Sequence, residues 1–136
     1  MYTLYTWFIR SSLEYAAPVW HPGLTSEQHA RLEGIQKRCF RIILGNNYID
    51  YQTALTTLKT TTLFSRREQL LVKFGHNILK SERHRHLLPP YLYDLHGRNT
   101  RRGRQLLQPV RCRTARYQKS SVPYLVKLLN STKVTL

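Results

Sequence analysis

The sequence predicts an all-α protein, on three observations. Apolar residues recur at helical spacing through most of the first 88 positions, start and stop residues bound the clearest of these runs, and no alternation of apolar and polar residues is strong enough to mark a strand. The expected architecture is a small bundle of about four helices with an irregular basic C-terminal segment. Its expected parts are a helical domain over 1–88, a basic irregular connection over 89–119 and a C-terminal helix over 120–136. A chain of 136 residues has room for one moderate core and seldom two.

The first helix is expected from Tyr2 to about Tyr15, with Leu4, Tyr5, Phe8 and Ile9 at near-helical spacing and Pro18 blocking its continuation. No cap residue precedes it, so its first amides lack partners and an apolar face starts uncovered. The expectation is that the chain is the end of something longer. The second helix, Ser26–Leu44, is the best marked: Thr25 as N-cap, Gln28 completing a capping box, Glu27 at the positive dipole end and Gly45 as a stop. At about 100° per residue, Leu32, Ile35, Cys39, Ile42 and Ile43 form a stripe opposite Lys37, Arg38 and Arg41. Cys39 then reads as a core thiol.

Asp50 is expected to cap a short helix through Leu55 and Leu58, and a Thr-rich link at 60–62 leads into a longer helix over Leu63–Lys80. The stripe of this longer helix is Leu63, Leu70, Leu71, Phe74 and Ile78. Arg66, Lys73 and Lys80 recur every seven residues beside it and align within about 40° of one another. Two uses of these cations stand open: phosphate contact, or stems covering the apolar stripe. Pro89-Pro90 ends the periodic region, Tyr91, Tyr93 and His96 read as an extended connection, and a last helix is expected over Ser121–Asn130 with Ser121 as cap and Pro123 in its first turn.

Charge is distributed unevenly along this framework. Lys and Arg exceed Asp and Glu by 2 through Ser65 and by 13 from Arg66 onward, giving a net +15, and positions 95–119 carry eight cations and no carboxylate. Such a field concentrates polyanions, and covering phosphates releases their condensed counterions. The competing reading is a solvated basic face. Tyr91, Tyr93 and Tyr117 interleave with the arginines, so guanidinium groups meet phosphates while rings stack on unpaired bases, or else the rings pack back onto the helices. Positions 98–119 have few large apolar residues to insert into a lipid interface, so no membrane partner is expected.

Known catalytic signatures are missing. The seven acids are scattered singly, leaving no metal-binding acidic pair for phosphoryl or nucleotidyl transfer, and there is no Walker loop, GxSxG elbow or dinucleotide fingerprint. His84-Arg85-His86 with His96 makes a poor metal set, because the arginines repel a cation; no metal and no cofactor are expected. Cys39 and Cys112 stand far apart without clustered spacing, so the sequence suggests a reducing, intracellular setting, nuclear or cytoplasmic left open.

Several short motifs recur in a familiar order: Leu13-Glu14-Tyr15-Ala16-Ala17-Pro18-Val19-Trp20-His21-Pro22, then Gln36-Lys37-Arg38 within Leu32 to Ile43. Ser65-Arg66-Arg67-Glu68, Leu87-Leu88-Pro89-Pro90, Arg111-Cys112-Arg113-Thr114-Ala115-Arg116-Tyr117, Val122-Pro123-Tyr124 and Leu128-Leu129-Asn130 follow. This series resembles the region just after the catalytic palm in reverse transcriptases of non-LTR retrotransposons of the jockey or LINE kind. The resemblance implies a helical thumb and C-terminal extension whose helices contact the backbone of a template and primer duplex. The polymerase aspartates and the endonuclease domain of such elements have no counterpart here, and reverse transcriptase activity is not expected.

The expected function is therefore a non-catalytic nucleic-acid-binding fragment, holding RNA or DNA as duplex or hybrid through Arg66, Lys73, Lys80, Arg101, Arg102, Arg111, Arg113 and Arg116. Nothing resembles a recognition helix with Asn, Gln and Arg clustered at its start, so backbone positioning is expected and base reading is not. The alternative is a helical interaction or structural fragment, with or without a selected function, that self-associates through its apolar N-terminal helix.

Overall fold

The computed structural model describes residues 1–96 and 106–132. Among them the chain is all-α, as expected, but it forms seven helices and not about four. These are α1 over residues 2–14, α2 over residues 17–23, α3 over Ser26–Leu44, α4 over Tyr51–Thr57, α5 over Leu63–Lys80, α6 over Leu92–His96 and α7 over Ser121–Ser131. Two compact units divide these elements: Met1–Ala17 with Leu24–Gln69, and Pro18–Gly23 with Leu70–Leu136. The units are cut along a different line from the sequence-character segments at 88 and 119.

In the first unit, α1 carries a π-helical stretch, Tyr5–Arg10, between its α-helical ends. It breaks at Tyr15 and Ala16, the latter at φ 49°, and Pro18 then lies in the first turn of α2, where a missing N–H costs nothing. Pro18 therefore opens the next helix. The box on α3 is complete: Thr25 Oγ1 accepts from Gln28 N at 3.3 Å, Gln28 Oε1 accepts from Thr25 N at 2.9 Å, and Gly45 stops the helix at φ 52°. Asp50 caps α4, accepting from Gln52 N at 3.3 Å.

The buried face of α3 is rotated from the expected stripe. Gln36 and Phe40 lie at its centre, while Ile35 and Ile42 are exposed. The displacement has a polar cause, since Gln36 is the residue that bonds to its neighbours. Its Oε1 accepts from Tyr5 Oη at 2.6 Å, and its Nε2 donates to Tyr51 Oη at 3.0 Å and to the Thr61 carbonyl at 3.1 Å. Tyr51 Oη in turn donates to Glu33, whose Oε1 also accepts from Leu63 N at 3.2 Å. Tyr5, Phe40, Tyr51, Ala54 and Leu55 close around this network, with half-buried Cys39 beside them. Burial pushes the Cys39 thiol up from its usual pKa, in keeping with a core thiol, and pushes the Tyr5 and Tyr51 phenols up much further.

The second unit is built on Leu71, Ile78, Leu88, Leu107, Leu125, Val126 and Leu129. Helix α5 presents Leu71, Gly75 and Ile78 to this core, while Phe74, expected on the stripe, is exposed. Gly75 is a close-approach position: a Cβ there would stand 2.9 Å from Leu125 Cδ1 and 3.0 Å from Leu129 Cδ1. Two expectations for the connection over 89–119 are corrected. Leu92–His96 is helical, and Ala115–Gln118 forms a single turn whose N-cap Thr114 accepts from Tyr117 N at 3.2 Å.

An antiparallel bridge pairs Tyr91 with Leu107, with Leu92 N donating to Leu106 O at 3.2 Å and Gln108 N to Pro90 O at 3.1 Å. Asn130 on α7 clasps the same place, its Oδ1 accepting from Leu107 N at 2.9 Å and its Nδ2 donating to Leu107 O at 3.0 Å. The cap of α7 is Ser120 in place of Ser121, whose hydroxyl donates to the Val19 carbonyl at 2.8 Å.

Candidate nucleic-acid interface

The cations of the first unit are largely engaged. Arg66, expected at a phosphate, donates from Nε to Glu14 Oε1 at 2.5 Å, and Arg10 faces the same carboxylate at 3.7 Å. Arg31 pairs with Glu27 at 2.7 Å, Lys37 Nζ sits 5.0 Å over the Tyr51 ring, and Arg41 lies 5.4 Å from the Tyr48 ring centre.

Arg67 is fully buried, its Nη2 3.4 Å from His29 Nδ1. Burial draws its pKa down, and the charges of Glu33 and Glu14 oppose that fall. The sequence held a signal for this residue: Arg67 falls four residues after Leu63 and four before Leu71, filling the gap in the expected stripe.

The second unit differs in charge and in pairing. Its sequence carries 14 Lys and Arg against Glu82 and Asp94, whereas the first unit carries 8 against 5. Lys73, Lys80, Arg111, Arg113 and Arg116 all belong to it, all are exposed, and none makes an ion pair among the described residues. Arg83, Lys119 and Lys127 are also exposed in this unit and were not picked out from the sequence, although Lys119 closes the carboxylate-free stretch. Arg101 and Arg102 lie outside the described residues, as does the side chain of His96. Of the eight expected site residues, five thus share the surface of one unit and Arg66 is committed to a carboxylate in the other.

The three tyrosines differ in their surroundings. Tyr91 is half-buried, bridged through its backbone to Leu107, with the Arg85 guanidinium 4.3 Å from its ring centre. Arg85 is held from its other side, donating to the Leu88 carbonyl at 3.0 Å. Tyr91 accordingly packs as part of the unit, whereas Tyr93 and Tyr117 keep exposed rings, at 69% and 47%.

Among the described residues no group of three or more His, Cys, Asp or Glu side chains is placed to hold a metal ion, and no helix is long and apolar enough to cross a membrane. His84 Nδ1 instead meets Ser81 Oγ at 2.9 Å. Fold and surface define a class, an all-α protein with one strongly basic unit. No protein-family model, curated protein or solved structure matches the chain.

Proposed function

We propose that this protein is a non-catalytic nucleic-acid-binding module that holds RNA or DNA, as duplex or hybrid, through phosphate contacts from its second unit. One observation carries the reading: the first unit's cations are largely spent on carboxylates and rings, while Lys73, Lys80, Arg111, Arg113 and Arg116 are exposed and free of ion pairs among the described residues. A cation already neutralised by a neighbour gains little from a phosphate, whereas one left in solvent retains its field for a polyanion. Arg66 drops out of the contact set on this argument. The similarity of the ordered motifs to the post-palm region of non-LTR retrotransposon reverse transcriptases supports the same reading, with a thumb-like role along a template and primer duplex. The scattered acids support a non-enzymatic role, and the two free, unclustered cysteines support an intracellular setting.

The test is fluorescence anisotropy with a labelled RNA–DNA hybrid, a DNA duplex and single strands across a salt series. Each neutralised duplex phosphate contributes about 0.9 to the slope of log affinity against log salt, so replacing Arg111, Arg113 and Arg116 with Ala lowers the slope by up to about 2.7. An unchanged slope removes these residues from the interface. Binding no tighter than that of a scrambled peptide of equal charge refutes the reading.

A second reading rests on a separate observation: Leu4, Trp7 and Phe8 of α1 are exposed at 60%, 73% and 68%. Such a face suits self-association, in which case the protein acts as an interaction or structural element. Sedimentation of the Trp7→Ser, Phe8→Ser double variant decides it. A smaller assembly with nucleic-acid binding intact supports this role, and identical sedimentation of both proteins excludes it.

A further inference from the structure

Tyr117 combines an exposed ring with a backbone pinned on both sides. Its N–H donates to the Thr114 hydroxyl at 3.2 Å, and its carbonyl accepts from Ser120 N at 2.9 Å and from Ser120 Oγ at 2.7 Å. The turn carrying it, Ala115–Gln118, is thereby fixed at both ends by side-chain hydroxyls. Around it in sequence, Arg111, Arg113, Arg116 and Lys119 are all exposed, and no carboxylate interrupts positions 95–119.

An aromatic ring on a rigid backbone, in a cationic setting, answers two requirements of an unpaired nucleotide. The base gains a flat apolar surface with little ordering cost, since a tyrosine has few rotatable bonds and the chain beneath it is already held. The flanking phosphates gain cations that no acidic side chain of the same stretch neutralises. A paired base lies inside its stack and has no face to offer, so a duplex interior makes no use of the ring. Tyr91, occupied by Arg85, does not meet the same description.

We infer that Tyr117 is a stacking platform for an unpaired base of single-stranded RNA or DNA, with Arg113 and Arg116 holding the adjoining phosphates. This inference rests on the proposed nucleic-acid function and adds to it one substrate feature, an unpaired stretch adjoining the bound duplex or hybrid. Stacking is tolerant of base identity, so the ring takes an unpaired base with little sequence preference.

The experiment titrates the full chain against a fluorescent single strand, the same strand made abasic, and inorganic polyphosphate. Tyr117→Ala is expected to weaken binding of the base-bearing strand on the order of tenfold while leaving the abasic strand and polyphosphate unchanged, and Tyr117→Phe to retain wild-type affinity. Equal weakening for all three probes would mean that the ring only supports the turn, and would overturn the inference. Salt-dependent strand binding that ignores Tyr117→Ala refutes the platform and leaves the proposed function standing. Failure of the wild-type chain to bind any of the three probes refutes the inference, and failure to bind a DNA duplex and an RNA–DNA hybrid as well refutes the proposed function with it.

Discussion

Replacing Gln36 with Leu tests whether the first unit is organised by a polar hub. The substitution puts an apolar side chain of similar volume in place of the amide, so packing changes little, but it strips three contacts at once. Their losses differ. The Thr61 carbonyl is on an exposed residue and recovers a partner from water, and the Tyr51 hydroxyl still donates to Glu33. The Tyr5 hydroxyl, on a residue only 2% exposed, has no such recourse, and a buried orphaned donor costs about 1–3 kcal/mol. Gln36→Leu should destabilise the unit by that amount.

Tyr5→Phe should cost a similar amount by orphaning Gln36 Oε1, yet the double variant removes both partners and leaves an apolar pair. Its destabilisation should fall short of the sum of the singles by about 1–2 kcal/mol. Urea unfolding with hydrogen exchange followed on the α3 amides, residues 26–44, reads the cycle within this unit. Additivity of the two substitutions to within about 0.5 kcal/mol would refute the hub.

Two further expectations concern stability. Asn130→Ala leaves the backbone N–H and C=O of fully buried Leu107 without their side-chain partner, at a cost on the order of 2–4 kcal/mol, and should abolish exchange protection at the Leu107 amide; retained protection would show that the clasp is incidental. His29 is held below its ordinary pKa, first by burial and then by Arg67, with Glu33 and Glu68 opposing. A group depressed on folding stabilises above its unfolded value, so the first unit should lose stability as pH falls through about 6.5 toward the lower folded value. His29→Gln should reduce this acid sensitivity in melting experiments, and an identical pH profile would assign it to other groups.

The sequence was legible where the physics is local. The Thr25 and Gln28 box, the Gly45 stop and the Asp50 cap join groups within a few residues of each other, so the local order of residues places them. The asymmetry of charge was equally legible, because it is a count. The face of a helix was harder to read. Ranking residues by hydropathy passes over Gln36 and Arg67, and both prove buried beside groups distant in sequence: Tyr5 and Tyr51 bond to Gln36, while His29 lies against Arg67 and the charges of Glu33 and Glu14 favour its cation.

The candidate interface divides along the same line. Which side chains are basic, and that they crowd the later part of the chain, follow from the sequence by itself. That Arg66 is spent on Glu14, 52 positions earlier, while Arg111, Arg113 and Arg116 face solvent is decided only by the tertiary structure. Likewise three similar tyrosines become one ring packed against Arg85 and two that remain open. Charge and caps are properties of residues and their near neighbours, whereas availability depends on what the fold has already placed against each group.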